Sequence, residues 1–183
     1  MTGRNIARRS AQYASPQRPR YRAATLTEVP TMKILLPVDG SPDALAAVRH
    51  ALALRAQGLG ASFVLANVQE PPSLYEVIVA HDADVIDQVR RDAGADLLQA
   101  AEALLRAAGA EHDSVVAGGS PAAVLVDLAE EHACDAVVIG SRGVGSPEGT
   151  DPGSVAAGVL RHSPVPVTVV RCAPAPTDDA EAA

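Results

Sequence analysis

Aromatic residues are nearly missing from this chain of 183 residues, which holds one phenylalanine, three tyrosines and no tryptophan. Base stacking on aromatic rings is thereby set aside as a mode of recognition. A core must instead be filled by closely packed Ala, Val and Leu, within an apolar content of 48%. Cysteine is equally scarce. Cys134 and Cys172 have neither metal-ligand spacing nor the density of a disulfide scaffold, and read as reduced cytoplasmic thiols. Long apolar runs are lacking too: stretches such as Ala136 to Ile139 fall far short of the roughly 20 residues that a membrane span needs.

Basic charge is sparse outside one end. Lys33 is the only lysine, and residues 1–31 hold six arginines against Glu28, a net +5 that leaves −12 on the remainder. An acidic body lacks the clustered cations that phosphate contacts along a nucleic acid require, so nucleic acid is not expected as a partner. Residues 1–31 show no hydrophobic periodicity and contain Pro16, Pro19 and Pro30; they read as a disordered basic tail, or as residues upstream of a true start at Met32. An organelle leader is the less favoured reading, and a secretory apolar segment is missing. Residues 173–183 read as a disordered acidic tail.

What is present from Lys33 onward is an alternation of short apolar runs with longer amphipathic ones, the pattern of β-α-β units around a parallel sheet. Strands are expected at Ile34–Val38, Ser62–Val68, Ser114–Ala117, Asp135–Ile139 and Val165–Val170. Pro164 and Pro166 suit an edge position for the last. Helices are expected after Ser41-Pro42, with Leu45, Val48 and Leu52 on one face and Gly58 at the end, and after Ser120-Pro121, with Val124, Leu125, Leu128 and Ala129 as the apolar stripe. A long helix should run from Asp82 to Ala108 with Val85, Val89, Leu97, Ala101, Leu104 and Ala108 near one face. Asp82, Asp84 and Asp87 would favour its positive end. A short helix should begin at Ser154. Five strands with helical crossovers make one open, doubly wound α/β sheet, covering residues 32–172.

Ligands of such sheets sit beyond the strand C-termini where strand order reverses. Two loops qualify: Asp39-Gly40-Ser41, and the stretch from Gly140 to Ser154. In the second, glycines permit positive φ and close backbone approach, and free N–H groups at a helix start attract anions, so phosphate is the natural guest. A lysine-dependent phosphate loop is excluded because no lysine is near. The dinucleotide fingerprint begun at Gly143 fails at Glu148.

The remaining pattern, Gly-x2-Gly-x9-Gly-Ser, is met by Gly140, Gly143, Gly153 and Ser154. With Ile34-Leu-Leu-Pro-Val-Asp-Gly-Ser41 before it and Val159-Leu-Arg-His-Ser-Pro-Val-Pro-Val-Thr-Val-Val170 after it, the chain resembles the ATP-binding branch of the universal stress protein family from about Met32 to Cys172. The resemblance implies strand order 3-2-1-4-5, ATP in the crevice, and a homodimer through the last strand, Val165 to Val170. It places Pro37, Val38, Asp39, Val68, Ile139, Gly140, Arg142, Gly143, Gly153, Ser154 and Val155 around the nucleotide, Val68 against adenine, and Asp39 near ribose and phosphates through Mg²⁺.

Several of these residues have a second reading. Asp39 could shape the turn before Ser41. Arg142 could be a solvated charge. Ser154 could cap a helix. The five histidines show no ligand spacing. Inside the loop, Val144 to Pro152 carries two prolines and two acids, Glu148 and Asp151, where family members carry apolar and basic residues; the acids would repel a triphosphate, face solvent or help hold Mg²⁺. The function implied is a nucleotide-dependent regulatory switch in stress. A slow ATP hydrolase or transferase is the alternative, although no nucleophile–base pair is visible, and a nucleotide-free interaction module is a further one.

Overall fold

The computed structural model describes residues 31–71, 83–146 and 152–172. Both tails, His81, the proposed helix start at Asp82, Glu148 and Asp151 lie outside them, as do the side chains of Asp84 and Asp87. The elements follow in the order β1 (Met32–Pro37), α1 (Pro42–Ala56), β2 (Ala61–Gln69), α2 (Ala83–Ala107), β3 (His112–Gly118), α3 (Pro121–Glu131), β4 (Ala136–Gly140), α4 (Ser154–His162) and β5 (Val167–Val170). All five strands are parallel, in the order β3-β2-β1-β4-β5. That is the expected order, with the reversal falling between β1 and β4.

Successive side chains of a strand point to opposite faces, and here both faces are covered. Ile34 and Leu36 of β1 join Phe63, Val48, Ala51, Leu98, Ala101 and Leu105 in the layer under α1 and α2. Leu35 joins Val64, Val137, Ile139, Leu125, Ala129 and Val159 in the layer under α3 and α4. Phe63, the one phenylalanine, is 1% exposed.

Helix α2 corrects one expectation. Its inward face is Gly94, Leu98, Ala101 and Leu105, spaced four, three and four, whereas Val85 and Val89 are 55% and 61% exposed and Leu97 is 38% exposed. Gly94 explains the choice: a Cβ there would stand 2.5 Å from a Val116 methyl and 2.9 Å from Asn67 Oδ1, so the helix presses its bare backbone on β2 and β3. A stripe drawn through the larger apolar residues misses a glycine contact. On α1, likewise, the fully buried positions are Ala44, Ala47, Val48 and Ala51, with Leu45 and Leu52 half-buried beside them.

The serine-proline starts differ from each other. Ser41 Oγ accepts the Ala44 amide and caps α1, while Ser120 holds the same position on α3 with no side-chain cap bond. Immediately before both serines the chain uses glycines with positive φ, +84° at Gly40 and +140° at Gly119. No helix among the described residues is long and apolar enough to cross a membrane.

Candidate functional site

At the reversal point the C-terminal ends of β1 and β4 part, and an open cleft of about 310 Å³ lies beyond them. This is within the range of ligand pockets. Pro37, Val38, Asp39, Val68, Ile139, Gly140, Arg142, Gly143, Gly153, Ser154 and Val155 all border it. The residues singled out in the sequence therefore converge on one place. Ala44, Ala66, Glu70, Pro121, Leu125 and Ala156 also line it and were not foreseen, while Ser41, Ser141, Val144 and Ser146 lie in the two candidate loops without having been singled out.

The turn after β1 supplies two carboxylates, and both hold the loop after β4. Asp39 Oδ1 accepts the Ser41 amide at 3.0 Å, and Oδ2 accepts the Val144 amide at 2.8 Å. Asp43, in the first turn of α1, is only 4% exposed. Its Oδ2 accepts Ser141 Oγ at 2.7 Å and the Arg142 amide at 3.1 Å, with Arg142 Nε 3.5 Å away; its Oδ1 accepts the Cys172 amide at 3.0 Å. Burial alone would push the Asp43 carboxyl up. The Ser141 hydroxyl, the Cys172 amide and the Arg142 guanidinium and amide together outweigh it and hold the group below the ordinary carboxylate value. Ser41 adds a further tie, its Oγ donating to the Arg142 carbonyl at 3.2 Å.

On the β2 side, buried Asn67 donates from Nδ2 to the Val38 carbonyl at 2.7 Å and accepts Gln69 Nε2 on its Oδ1. It fixes the backbone just before Asp39.

Three sequence readings change here. First, Gly140, Gly143 and Gly153 are not among the residues with positive φ, so their role is the missing Cβ. A Cβ on Gly140 would be 2.6 Å from the Asp43 carbonyl carbon, and one on Gly143 would be 2.6 Å from Asp39 Oδ2. Gly140 thus admits the α1 backbone at Asp43 and Ala44, and Gly143 admits the Asp39 carboxylate. Second, the loop amides are engaged: Ser141 to the Val170 carbonyl, Arg142 to Asp43, Gly143 to Ser146 Oγ, Val144 to Asp39. At the start of α4 the amides of Ser154, Val155 and Ala156, like the single amide of Gly145, lack a partner among the described residues. Third, the N-cap of α4 is Gly153, not Ser154, and no side chain caps it.

Among the described residues Arg142 is the only cationic side chain on the wall, against Asp39 and Glu70. Among the described residues no group of three or more His, Cys, Asp or Glu could hold a metal ion. Asp39, the carboxylate expected near Mg²⁺, has both oxygens accepting amides, Ser41 on Oδ1 and Val144 on Oδ2. The thiol of Cys134 is buried, which pushes its pKa up and leaves it inert.

Sheet order and cleft together define a doubly wound α/β domain with its ligand crevice at the switch point. The chain belongs to the universal stress protein family, whose family model matches residues 30–171. A universal stress protein of Methanocaldococcus jannaschii, MJ0531, is 27% identical over 139 residues, covering 76% of this chain and 81% of that protein. Among solved structures, a universal stress protein in complex with cAMP is 28% identical, covers 76% of this chain and 95% of that one, and superposes with a TM-score of 0.54. The universal stress protein of Archaeoglobus fulgidus in complex with dAMP is 25% identical, with coverage of 76% and 97% and a TM-score of 0.52.

Proposed function

We propose that the chain is a stress-response regulator of the cytoplasm that binds an adenine nucleotide in this cleft, and that occupancy is read out through a homodimer formed along β5. The observation that carries the reading is the convergence of eleven sequence-selected residues on one cleft at the switch point. Structural neighbours solved with cAMP and dAMP support the adenine nucleotide. Adenine would rest against Val68, ribose beside Asp39, and phosphate at the free amides of α4, where the helix dipole favours an anion. ATP is the nucleotide implied by the sequence resemblance. A Mg²⁺ would arrive on its phosphates, with Asp39 reaching it through a coordinated water.

The one serine–carboxylate pair on the described wall, Ser141 Oγ to Asp43, is buried, and its carboxylate also accepts the Arg142 and Cys172 amides, a structural arrangement that favours binding over hydrolysis. The test is mass spectrometry of denatured, freshly purified protein, with thermal melts in ATP, ADP and AMP. Ligand at 100 times its dissociation constant adds about 2.7 kcal/mol, a visible shift. The absence of both a co-purified nucleotide and a thermal shift would overturn the reading. Multiple-turnover phosphate release would favour the hydrolase instead.

A further inference from the structure

We infer that the phosphate end of the cleft takes a single phosphate group, so that this chain prefers a nucleoside monophosphate to a triphosphate; the inference rests on the adenine-nucleotide reading above. Backbone N–H groups turned into a concave loop make an anion nest. In this loop the nest is already filled by the chain's own anions. The Arg142 and Val144 amides, which would otherwise face a second or third phosphate, end on Asp43 and Asp39 at 3.1 and 2.8 Å, and the Gly143 amide ends on Ser146 Oγ. Apart from the single amides of Asp39 and Glu70, what is left on the described wall is one set of three adjacent amides, Ser154 to Ala156, matching the three oxygens of one terminal phosphate.

Charge leads the same way. Asp39 and Glu70 are the acids on the described wall, and Arg142, the single cation among the described wall residues, is itself drawn to the buried Asp43 at 3.5 Å. The sequence adds no lysine or arginine between Gly143 and Leu160. Each extra phosphate therefore brings negative charge to carboxylates with no new cation to meet it. Such repulsion in a partly water-excluded crevice is only partly screened by salt.

The experiment is calorimetric titration of the full chain with AMP and with ATP, each in Mg²⁺ and again in EDTA. AMP should bind on the order of tenfold more tightly than ATP in EDTA, and remain the tighter ligand in Mg²⁺. ATP binding as tightly as AMP in Mg²⁺, or more tightly, overturns the inference while leaving the nucleotide reading intact; no heat with either removes that reading itself. Two variants test the cause. Glu70→Gln, at an exposed position, leaves the fold undisturbed, and Asp39→Asn removes the charge in the nest. Both should narrow the AMP-to-ATP ratio. A ratio unmoved in both overturns the charge basis.

Discussion

Ser141 Oγ donates a 2.7 Å hydrogen bond to Asp43 across 98 positions of sequence, and both residues are almost fully buried. The pair joins the start of α1 to the end of β4, and the Cys172 amide on the same carboxylate adds the segment that leaves β5. One side chain thus holds the two halves of the sheet where they diverge.

Replacing Asp43 by alanine should lower stability by about 3 kcal/mol, because the Ser141 hydroxyl and two amides lose a buried charged acceptor. Urea melts measure this. The pH dependence follows from the depressed carboxyl: its contribution is present above the unfolded value near 4 and is lost as pH falls through the lower folded value. Wild type should lose stability more steeply than Asp43→Asn on acidification below about pH 4. Parallel pH curves would contradict this.

The corrected face of α2 gives a paired test. Leu98→Ala empties a site that is 1% exposed and should cost about 2–5 kcal/mol, whereas Val89→Ala, at 61% exposed, should stay within about 0.5 kcal/mol. Equal losses would restore the face drawn through Val85 and Val89.

Gly140→Ala should destabilise the chain by about 1–3 kcal/mol even without ligand, since its methyl carbon would meet backbone atoms of Asp43 and Ala44 at 2.6–2.9 Å. A methyl tolerated there would mean that α1 can retreat from β4, and the thermal midpoint of the ligand-free protein reports it.

Gly153→Val should abolish AMP binding and keep native helical circular dichroism. The backbone at Gly153 is extended (φ −61°, ψ 166°) and accepts a β-branched residue, while a Cβ stands 3.2 Å from Ser146 Oγ beside the free amides of α4. Unchanged binding would move the phosphate elsewhere.

Val169→Pro should leave β4 paired and yield monomers by sedimentation. The carbonyls of Pro166 and Val170 face β4, accepting from Val137 and Ser141, so by alternation the N–H of Val169 faces the open edge. Removing that donor touches only a neighbour outside the sheet. A persistent dimer would place the contact on another surface.

Nine elements were legible because strand periodicity and turn glycines are local signals, whereas sheet order and the residues of the cleft wall came from the family resemblance that the glycine spacing carries. Asp43 was not. It stands directly after Ser41-Pro42, where an acid suits any helix start, and nothing local ties it to Ser141, Arg142 or Cys172. Asn67 was hidden for a related reason, as a polar residue inside an apolar run whose partner is the Val38 carbonyl. Alanine and glycine faces on α1 and α2 were missed because size guided the choice of stripe, whereas close helix approach selects the smallest residues.

Asp39 and Asp43 fasten the loop from Ser141 to Val144 with no guest required. On the proposed reading, a nucleotide would meet a stretch already tied by the chain's own carboxylates, and its arrival would not be announced by ordering that stretch. A partner protein would meet the same loop on loaded and empty molecules. To tell them apart it must touch the guest itself, or feel a displacement passed from the Asp43 carboxylate to the Cys172 amide and on to the sheet margin.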